Sequence, residues 1–485
     1  MHAQGYSDES FTVTRKNMIN NKSEQSPASG APVRTGNERL VAALDVGTTK
    51  IVAALGRRND NGRLEILGYS KSVSKGIRRG EILNPEEASR VIRQVISDLE
   101  KKTGYTIRNV FTGIAGEHIR LIKNRTHTHL SGADETVSIA DVRRLHEDAA
   151  HIGLEAGKEI LHVIPQSYTL DNETNILNPV GMMGKRLEAN FNIIVGSVDS
   201  IRRIRRCVEH AGLNILDIIL EPLASSEAVL YSEEKEVGVA LVDIGGGTTD
   251  VAVFYENTLR YSAVIPFGGN IITQDIRTAC GLLENTAEQL KIIHGEALAE
   301  QAEGNKVIVI PSEIPGRAER EVSLTHLAGI IQARMEEIID MVGFHLRNSE
   351  CEGNLGAGIV LTGGGSMLRH LKQLFTFQTG LEVNIGFPGQ HLVGEAGDMN
   401  EPLFATVIGL LKKGFDYLDE HPQCDTAESA PAVEQAARET EPAPRTQGIT
   451  DLSKRKKAPR KTSFLQTAQN LLGDIFSEKE DPTLE

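Results

Sequence analysis

Large apolar residues are scarce over positions 1–38, then arrive in dense, regularly spaced runs that continue to about Leu418. The first run, LVAALDVGTTKIVAAL (40–55), reads as strand, tight Gly-Thr turn, strand. A polar turn at NDNG (59–62) then leads to a third run beginning LEILGY. The same pattern returns at GVALVDIGGGTTDVAVF (238–254), followed by ENTLRYSAVI. Between the strands the apolar spacing becomes helical, at NPEEASRVIRQVISDLEKK (84–102), SVDSIRRIRRCVEHAG (197–212) and LTHLAGIIQARMEEIIDMVGFHLRNS (324–349). Strands alternating with helices predict an α/β fold. One strand–turn–strand signature written twice, with Asp45 and Asp243 at equivalent places, predicts two duplicated domains and not a solenoid, whose repeats run ~20–50 residues.

Past Leu418 the pattern lapses and then revives. Residues 419–453 are rich in Pro, Ala, Gln and Glu and read as a flexible, self-repelling acidic linker, as 1–38 reads as a disordered N-terminal arm. The run KRKKAPRK then concentrates Lys454, Arg455, Lys456, Lys457, Arg460 and Lys461. On a helix starting near Thr462, Phe464, Leu465, Ala468, Leu471, Leu472, Ile475 and Phe476 fall on one stripe, opposite Ser463, Gln466, Gln469, Asn470 and Ser477. Such a helix of ~15 residues, at ~1.5 Å each, is about 22 Å long and too short to span a bilayer core. It suits the interface, where each upstream basic residue adds ~1 kcal/mol of attraction to anionic lipid. A helix that packs back on the body as core seldom needs so long a linker.

Composition narrows the partners. The 485 residues carry 52 basic and 66 acidic side chains, a net charge of −14, which argues against a nucleic-acid partner. Aromatic residues at 4%, with no Trp, leave little for a stacking platform. Cys207, Cys280, Cys351 and Cys424 stand far apart without a CxxC pair, as reduced residues of a cytoplasmic protein do. No apolar run approaches the ~18–20 residues of a membrane span, and no secretory signal opens the chain. The expected location is therefore peripheral, on the cytoplasmic face of the membrane.

The chemistry concentrates in three glycine turns. In DVGTTK (45–50) and DIGGGTTD (243–250), glycine bends the backbone where a side chain would clash. Amides of Gly47, Gly245, Gly246 and Gly247, with the hydroxyls of Thr48, Thr49, Thr248 and Thr249, suit phosphate oxygens. Lys50 adds a positive charge, and Asp45 and Asp243 suit Mg²⁺ held largely through water. A third turn, Thr362-Gly363-Gly364-Gly365-Ser366 in GIVLTGGGSMLRHLKQLF (358–375), is expected to place amides at a helix N-terminus. Neither a Walker A lysine loop nor a GxGxxG fingerprint is present, so the phosphate site must be of the two-hairpin kind.

Paired Asp-Gly-Thr hairpins with a later TGGGS turn resemble the actin, sugar-kinase and heat-shock-chaperone ATPase superfamily. LEPLASSEAVL (220–230) looks like its connecting helix, and AEQLKIIHG (287–295) is similar to the A-E-x-x-K segment by which bacterial actins hold adenosine. LHVIPQSYTLDNETNILNPVGMMGKRLEAN (161–190), EHAGL (209–213) and VIPFGGNIITQDI (264–276) resemble the bacterial FtsA family, and the likeness covers about 40–414 and the C-terminal tip.

The resemblance implies an actin-like two-lobed ATPase fold of duplicated ribonuclease H-like domains. Lobe 1 would comprise 39–113 and 191–236 around an inserted small subdomain at 114–190. Lobe 2 would comprise 237–270 and 321–400 around a small subdomain at 271–320, and 401–418 would close back on lobe 1. The linker (419–453), the membrane-targeting segment (454–477) and a tail (478–485) would follow. ATP with Mg²⁺ is the implied cofactor, with Glu288, Lys291, Gly363, Gly364, Gly365 and Ser366 at the ribose and adenine. Glu221 stands before Pro222 where the chaperone branch positions an attacking water; a helix N-terminal Glu favoured by the macrodipole is the alternative.

The implied role is a self-polymerising adaptor that anchors the FtsZ ring to the membrane and helps recruit later division proteins. The C-terminal peptide of FtsZ would dock on 271–320, with Arg317 and Arg320 as candidate contacts, and ATP turnover would be slow and regulatory at most. The rivals are a pilus-assembly adaptor and a chaperone or metabolic ATPase of the same fold. No base for a sugar hydroxyl is evident, and no large peptide-binding domain follows Leu418.

Overall fold

The computed structural model describes residues 39–59, 61–130, 135–304, 306–311, 319–393, 397–421, 424, 427–429 and 478–480. The expectations for 1–38, for most of the linker, for Arg317 and for the basic run with its apolar stripe (454–476) lie outside these residues.

Strand β1 (Leu40–Val46) is buried at every position, as an unbroken apolar run must be when a strand is covered on both faces. It pairs antiparallel with β2 (Lys50–Arg58), and β2 with β3 (Leu64–Val73). Helix α1 (Pro85–Thr103) starts where the Asn84 side chain accepts from the Glu86 and Glu87 amides and ends at left-handed Gly104. It leads to β4 (Asn109–Ile114), parallel to β1 on its free side. Then comes an antiparallel insert: β5 (Arg120–His129), α2 (Ile139–Ala149), β6 (Lys158–Leu170), β7 (Glu173–Ile176) and β8 (Arg186–Ser197), paired in the order β7-β6-β8-β5. Val142, Leu145, Val163, Leu187, Phe191 and Ile193 are buried in the insert's own core. The ladder of β8 continues to Ser197, seven residues past the expected boundary at 190. Helix α3 (Val198–His210) returns to β9 (Asn214–Leu220), parallel to β4, which completes a sheet ordered β9-β4-β1-β2-β3.

After helix α4 (Glu221–Val229) the same connectivity repeats. Strands β10 (Val239–Ile244), β11 (Thr249–Tyr255) and β12 (Thr258–Ile265) are antiparallel. Helices α5 (Gly269–Cys280) and α6 (Glu284–His294), with the hairpin β13 (Lys306–Ile310) and β14 (Arg320–Ser323), precede the long helix α7 (Leu324–Asn348). Strand β15 (Ile359–Thr362), helix α8 (Leu371–Thr379) and strand β16 (Val383–Ile385) finish a sheet ordered β12-β11-β10-β15-β16, the last two strands parallel to β10. Each sheet therefore has three antiparallel strands followed by two parallel ones. The lobes differ in what interrupts them: the antiparallel insert in the first, α5 to β14 in the second.

Helix α9 (Ala405–Glu420) then crosses back to lie on α4 and β1 of the first lobe. A β-carbon on Gly409 would overlap the Ala224 carbonyl, so only glycine permits this approach of two helices. No helix among the described residues is long and apolar enough to cross a membrane.

Candidate functional site

The two hairpin turns have the same length in ladder register. Asp45 faces Val52 across β1 and β2, and Asp243 faces Asp250 across β10 and β11, with six residues between the partners in each. Gly47 therefore corresponds to Gly245, Thr48 to Gly246, Thr49 to Gly247 and Lys50 to Thr248. The turns meet tip to tip. A β-carbon on Gly246 would overlap Thr49 Oγ1, and one on Gly247 would press on Thr48 Oγ1. Threonines of one lobe thus occupy the space that glycines of the other leave open. Thr49 Oγ1 donates to Asn270 Oδ1 at 3.3 Å, and Asn270 in turn donates its amide to Gly246 O at 2.8 Å. Thr249 Oγ1 donates to Phe267 O at 2.8 Å.

Four carboxyl groups gather behind these turns. Asp45 and Asp250 are buried, and Asp243 and Glu221 are half-buried. Asp243 Oδ2 accepts from Ser225 Oγ at 2.8 Å, and Ser225 Oγ also lies 3.2 Å from Thr406 Oγ1 of α9. Asp250 Oδ1 is buried without a hydrogen-bond partner. Burial, reinforced by the Asp243 charge, pushes Asp250 up to about 8. Burial, together with the Asp45 charge and against the Ser225 hydrogen bond, holds Asp243 at about 6. Burial pushes Glu221 well above the carboxylate range, and Asp45, Asp250 and Asp243 push the same way. Burial also raises Asp45, opposed by Lys50, whose Nζ lies 3.7 Å away.

Lys50 donates as well to the Leu403 carbonyl, so one lysine balances several acids. A set of raised carboxyls around one orphaned buried oxygen favours a bound cation, which would return them to the charged form. Among the described residues no three His, Cys, Asp or Glu side chains converge on one point, so a cation here needs water or a ligand as well.

The third glycine turn abuts this cluster. Gly363, at φ +80°, packs against Asp243, and its amide donates to Pro402 O at 3.3 Å. Gly365 packs on Ile244, and Ser366 Oγ donates to Gly363 O at 2.7 Å. One expectation is corrected in part: the turn opens a short 3₁₀-helix and not the following α-helix. Gly364–Met367 is a single 3₁₀ turn, His370 adopts φ +58°, and α8 begins only at Leu371. The tight turn closes on Gly363 and Ser366 before the α-helix starts, and a β-carbon on Gly364 would come within 4.0 Å of Leu403.

Glu288 and Lys291 form one network on α6. Lys291 Nζ pairs with Glu288 at 2.7 Å and donates to Thr273 Oγ1 and to Gly269 O, each at 2.8 Å. Gly269 donates to Gly245 O at 2.9 Å, which joins this network to the second turn. The far end of α6 meets the third turn's segment, where Ala297 donates to Arg369 O at 2.8 Å.

Two family models match this chain: "Cell division protein FtsA" over residues 240–409 and "SHS2 domain inserted in FTSA" over 116–195. The cell division protein FtsA of Pseudomonas aeruginosa is 37% identical over 384 residues, which are 79% of this chain and 91% of that protein. The chain belongs to the FtsA family of cell division proteins. The FtsA of Neisseria meningitidis is 36% identical over 375 residues, 77% of this chain and 90% of that one. Among solved structures, the PilM–PilN type IV pilus biogenesis complex matches with a TM-score of 0.57 at 14% identity, covering 77% of this chain and 98% of that one, a likeness of fold. The fold is thus the actin-like two-lobed α/β fold, with the inserted domain of the FtsA family on β5–β8.

Arg320, the described one of the two candidate partner contacts, begins β14 and donates to Cys280 O at 2.8 Å, where it closes the end of α5. Asp250, Ser225 and Asn270 are site groups that motif reading overlooked. The signal for Asp250 was the last letter of DIGGGTTD. Ser225 lay inside the quoted LEPLASSEAVL, without a charge to single it out.

Proposed function

We propose that this member of the FtsA family is an ATP-binding, self-polymerising adaptor that ties the FtsZ ring to the cytoplasmic face of the membrane and helps recruit later division proteins. The observation that carries the nucleotide part is the tip-to-tip meeting of the Asp45–Lys50 and Asp243–Thr249 turns, with four raised carboxyls behind them. In this reading the amides and hydroxyls of Gly47, Thr48, Thr49, Gly245, Gly246, Gly247, Thr248 and Thr249 receive the phosphates, and Lys50 adds a charge-assisted bond. Asp45 and Asp243, with the unpartnered oxygen of Asp250, would hold Mg²⁺ largely through water. The ion supplies charge neutralisation to the phosphates. Glu288 and Lys291 on one side, and Gly363, Gly364, Gly365 and Ser366 on the other, frame the ribose and adenine. Glu221 orients water if hydrolysis occurs.

Membership of the family supports the division role. The membrane part rests on the basic run Lys454–Lys461 and the stripe Phe464–Phe476. The partner part rests on the α5–β14 region, where the FtsZ peptide would dock near Arg317 and Arg320.

The test is co-pelleting with FtsZ on vesicles containing anionic lipid, with and without ATP. The full chain should carry FtsZ down with the vesicles, and a chain lacking 454–485 should leave both in the supernatant. No recruitment under either nucleotide condition would refute the adaptor reading.

A further inference from the structure

Between β3 and α1 the chain makes a small hairpin in which Ile77 pairs with Ile82 and Arg78 with Glu81. Its two-residue tip is Arg79-Gly80, and both residues are left-handed, at φ +50° and +75°. Such a turn matches the twist of a hairpin, but arginine seldom takes that conformation unless its surroundings hold it there. The first phosphate turn supplies the hold: Gly80 donates its amide to Thr48 Oγ1 at 2.9 Å. Across the cleft, the Arg79 guanidinium carbon lies 6.0 Å from the centre of the Phe267 ring. Phe267 is itself tied to the second turn through its carbonyl and Thr249. The tip therefore touches the machinery of both turns.

Phe267 carries a second guanidinium, that of Arg334, also at 6.0 Å. The two cations differ in their commitments. Arg334 grips Asp275 with a fork of 2.6 and 3.2 Å and donates to Glu337 as well. Arg79 is exposed, and no carboxylate among the described residues pairs with it. One of the two can leave the ring at little loss. Among the described residues Lys50 is the one side-chain cation beside the four carboxyls, and the Mg²⁺ proposed above is shared with them, so an entering triphosphate gains from a further cation. An exposed cation–π contact is weaker than a charge-assisted hydrogen bond to phosphate, so the exchange favours the phosphate.

We infer that Arg79 recognises the terminal phosphate of a nucleoside triphosphate, leaving Phe267 to bind it and returning to the ring when only the diphosphate is present. The inference rests on the nucleotide reading above and adds to it the group that tells ATP from ADP. Because the tip bridges the turns of both lobes, the same exchange reports nucleotide state to the cleft.

The experiment is a titration of Mg-ATP and Mg-ADP into the full chain, its Arg79→Ala variant and its Arg79→Lys variant, with a thermal melt of each. Arg79→Ala should weaken ATP about tenfold, one charge-assisted contact, and leave ADP within about twofold. Arg79→Lys should recover part of the loss, since lysine keeps the charge without the fork. Equal weakening of both nucleotides would overturn the proposal, because the tip would then merely shape the turn, and so would no change in either. Phe267→Leu removes the resting place and keeps the cation, so it should retain the preference for ATP. If it loses that preference as fully as Arg79→Ala does, the ring and not the guanidinium is the determinant, and the proposal fails. If the unaltered chain binds neither nucleotide, the nucleotide reading itself falls and takes the inference with it.

Discussion

The two hairpins share one backbone and divide the chemistry between them. Both run strand, four-residue turn, strand, and both open with an aspartate. The first places Thr48, Thr49 and Lys50 at its tip and buries Val52 opposite Asp45. The second places Gly246, Gly247 and Thr248 at the same positions and sets Asp250 opposite Asp243. One turn brings bulk and a cation; the other brings space and a second acid. Duplication accounts for the amides, and divergence accounts for the complementarity, since a turn built from two identical halves would either clash or leave a gap.

That division can be broken most forcefully at the positions facing the two aspartates. Asp250 stands at about 8, above the ordinary aspartate value, because burial and Asp243 disfavour its charge. An acid raised by folding contributes stability below its unfolded pKa and loses that contribution as pH rises through its folded pKa. In nucleotide-free, Mg²⁺-free protein, Asp250→Asn should therefore flatten the fall in melting temperature between about pH 4 and 8, with a gain on the order of a few kcal/mol above it. Val52→Asn, the equivalent change in the first hairpin, should do the opposite and cost about 1–3 kcal/mol for an unpaired buried amide. Melts across pH decide the matter; the same sign for both variants would show that the hairpins are not divided in this way.

A smaller effect is expected where the tips meet. Gly246→Val sets a branched side chain against Thr49, an overpacking worth about 1–3 kcal/mol, and should weaken nucleotide binding about tenfold or more. Adding Thr49→Gly returns the space and should restore most of the lost stability in a thermal melt, and only part of the affinity by titration calorimetry, since the Thr49 hydroxyl goes with it. Without recovery in the double variant, the contact between the lobes is not what Gly246 serves.

The duplicated hairpins, the α/β class and the acids at 45 and 243 were legible because burial on both faces forces unbroken apolar runs, and only glycine lets the chain turn between them. Asp250 was harder to see. Matching by residue type aligns Thr248-Thr249 with Thr48-Thr49 and sets Asp250 beside Lys50, whereas the ladder sets it across from Asp243. The misread helix after Gly363 has a similar origin, for strand–glycine–helix spacing looks alike whether or not a 3₁₀ turn intervenes. Arg79 was illegible for a third reason: its meaning depends on a hairpin folding onto Thr48 and on a ring in the other lobe, and no local pattern carries such a pairing.

The finest test concerns Glu221, which belongs to neither hairpin and stands at the head of α4, packed against Gly113. Burial and the three neighbouring aspartates push it toward its neutral form, which accepts a proton from water less readily than the carboxylate does. A cation that lowers the local negative charge would favour the carboxylate, so any role in orienting water is strongest when the site is charged and occupied. Glu221→Gln keeps the shape and the neutral form, and should leave ATP affinity within about twofold while lowering single-turnover hydrolysis about a hundredfold, the low end for a lost general base. In the unaltered chain hydrolysis should also climb with pH as the raised carboxyl ionises, and this slope should vanish in Glu221→Gln. Should the rate and its pH slope survive the substitution, Glu221 is a helix-terminal acid favoured by the dipole of α4, and the two hairpins hold the nucleotide without helping to cleave it.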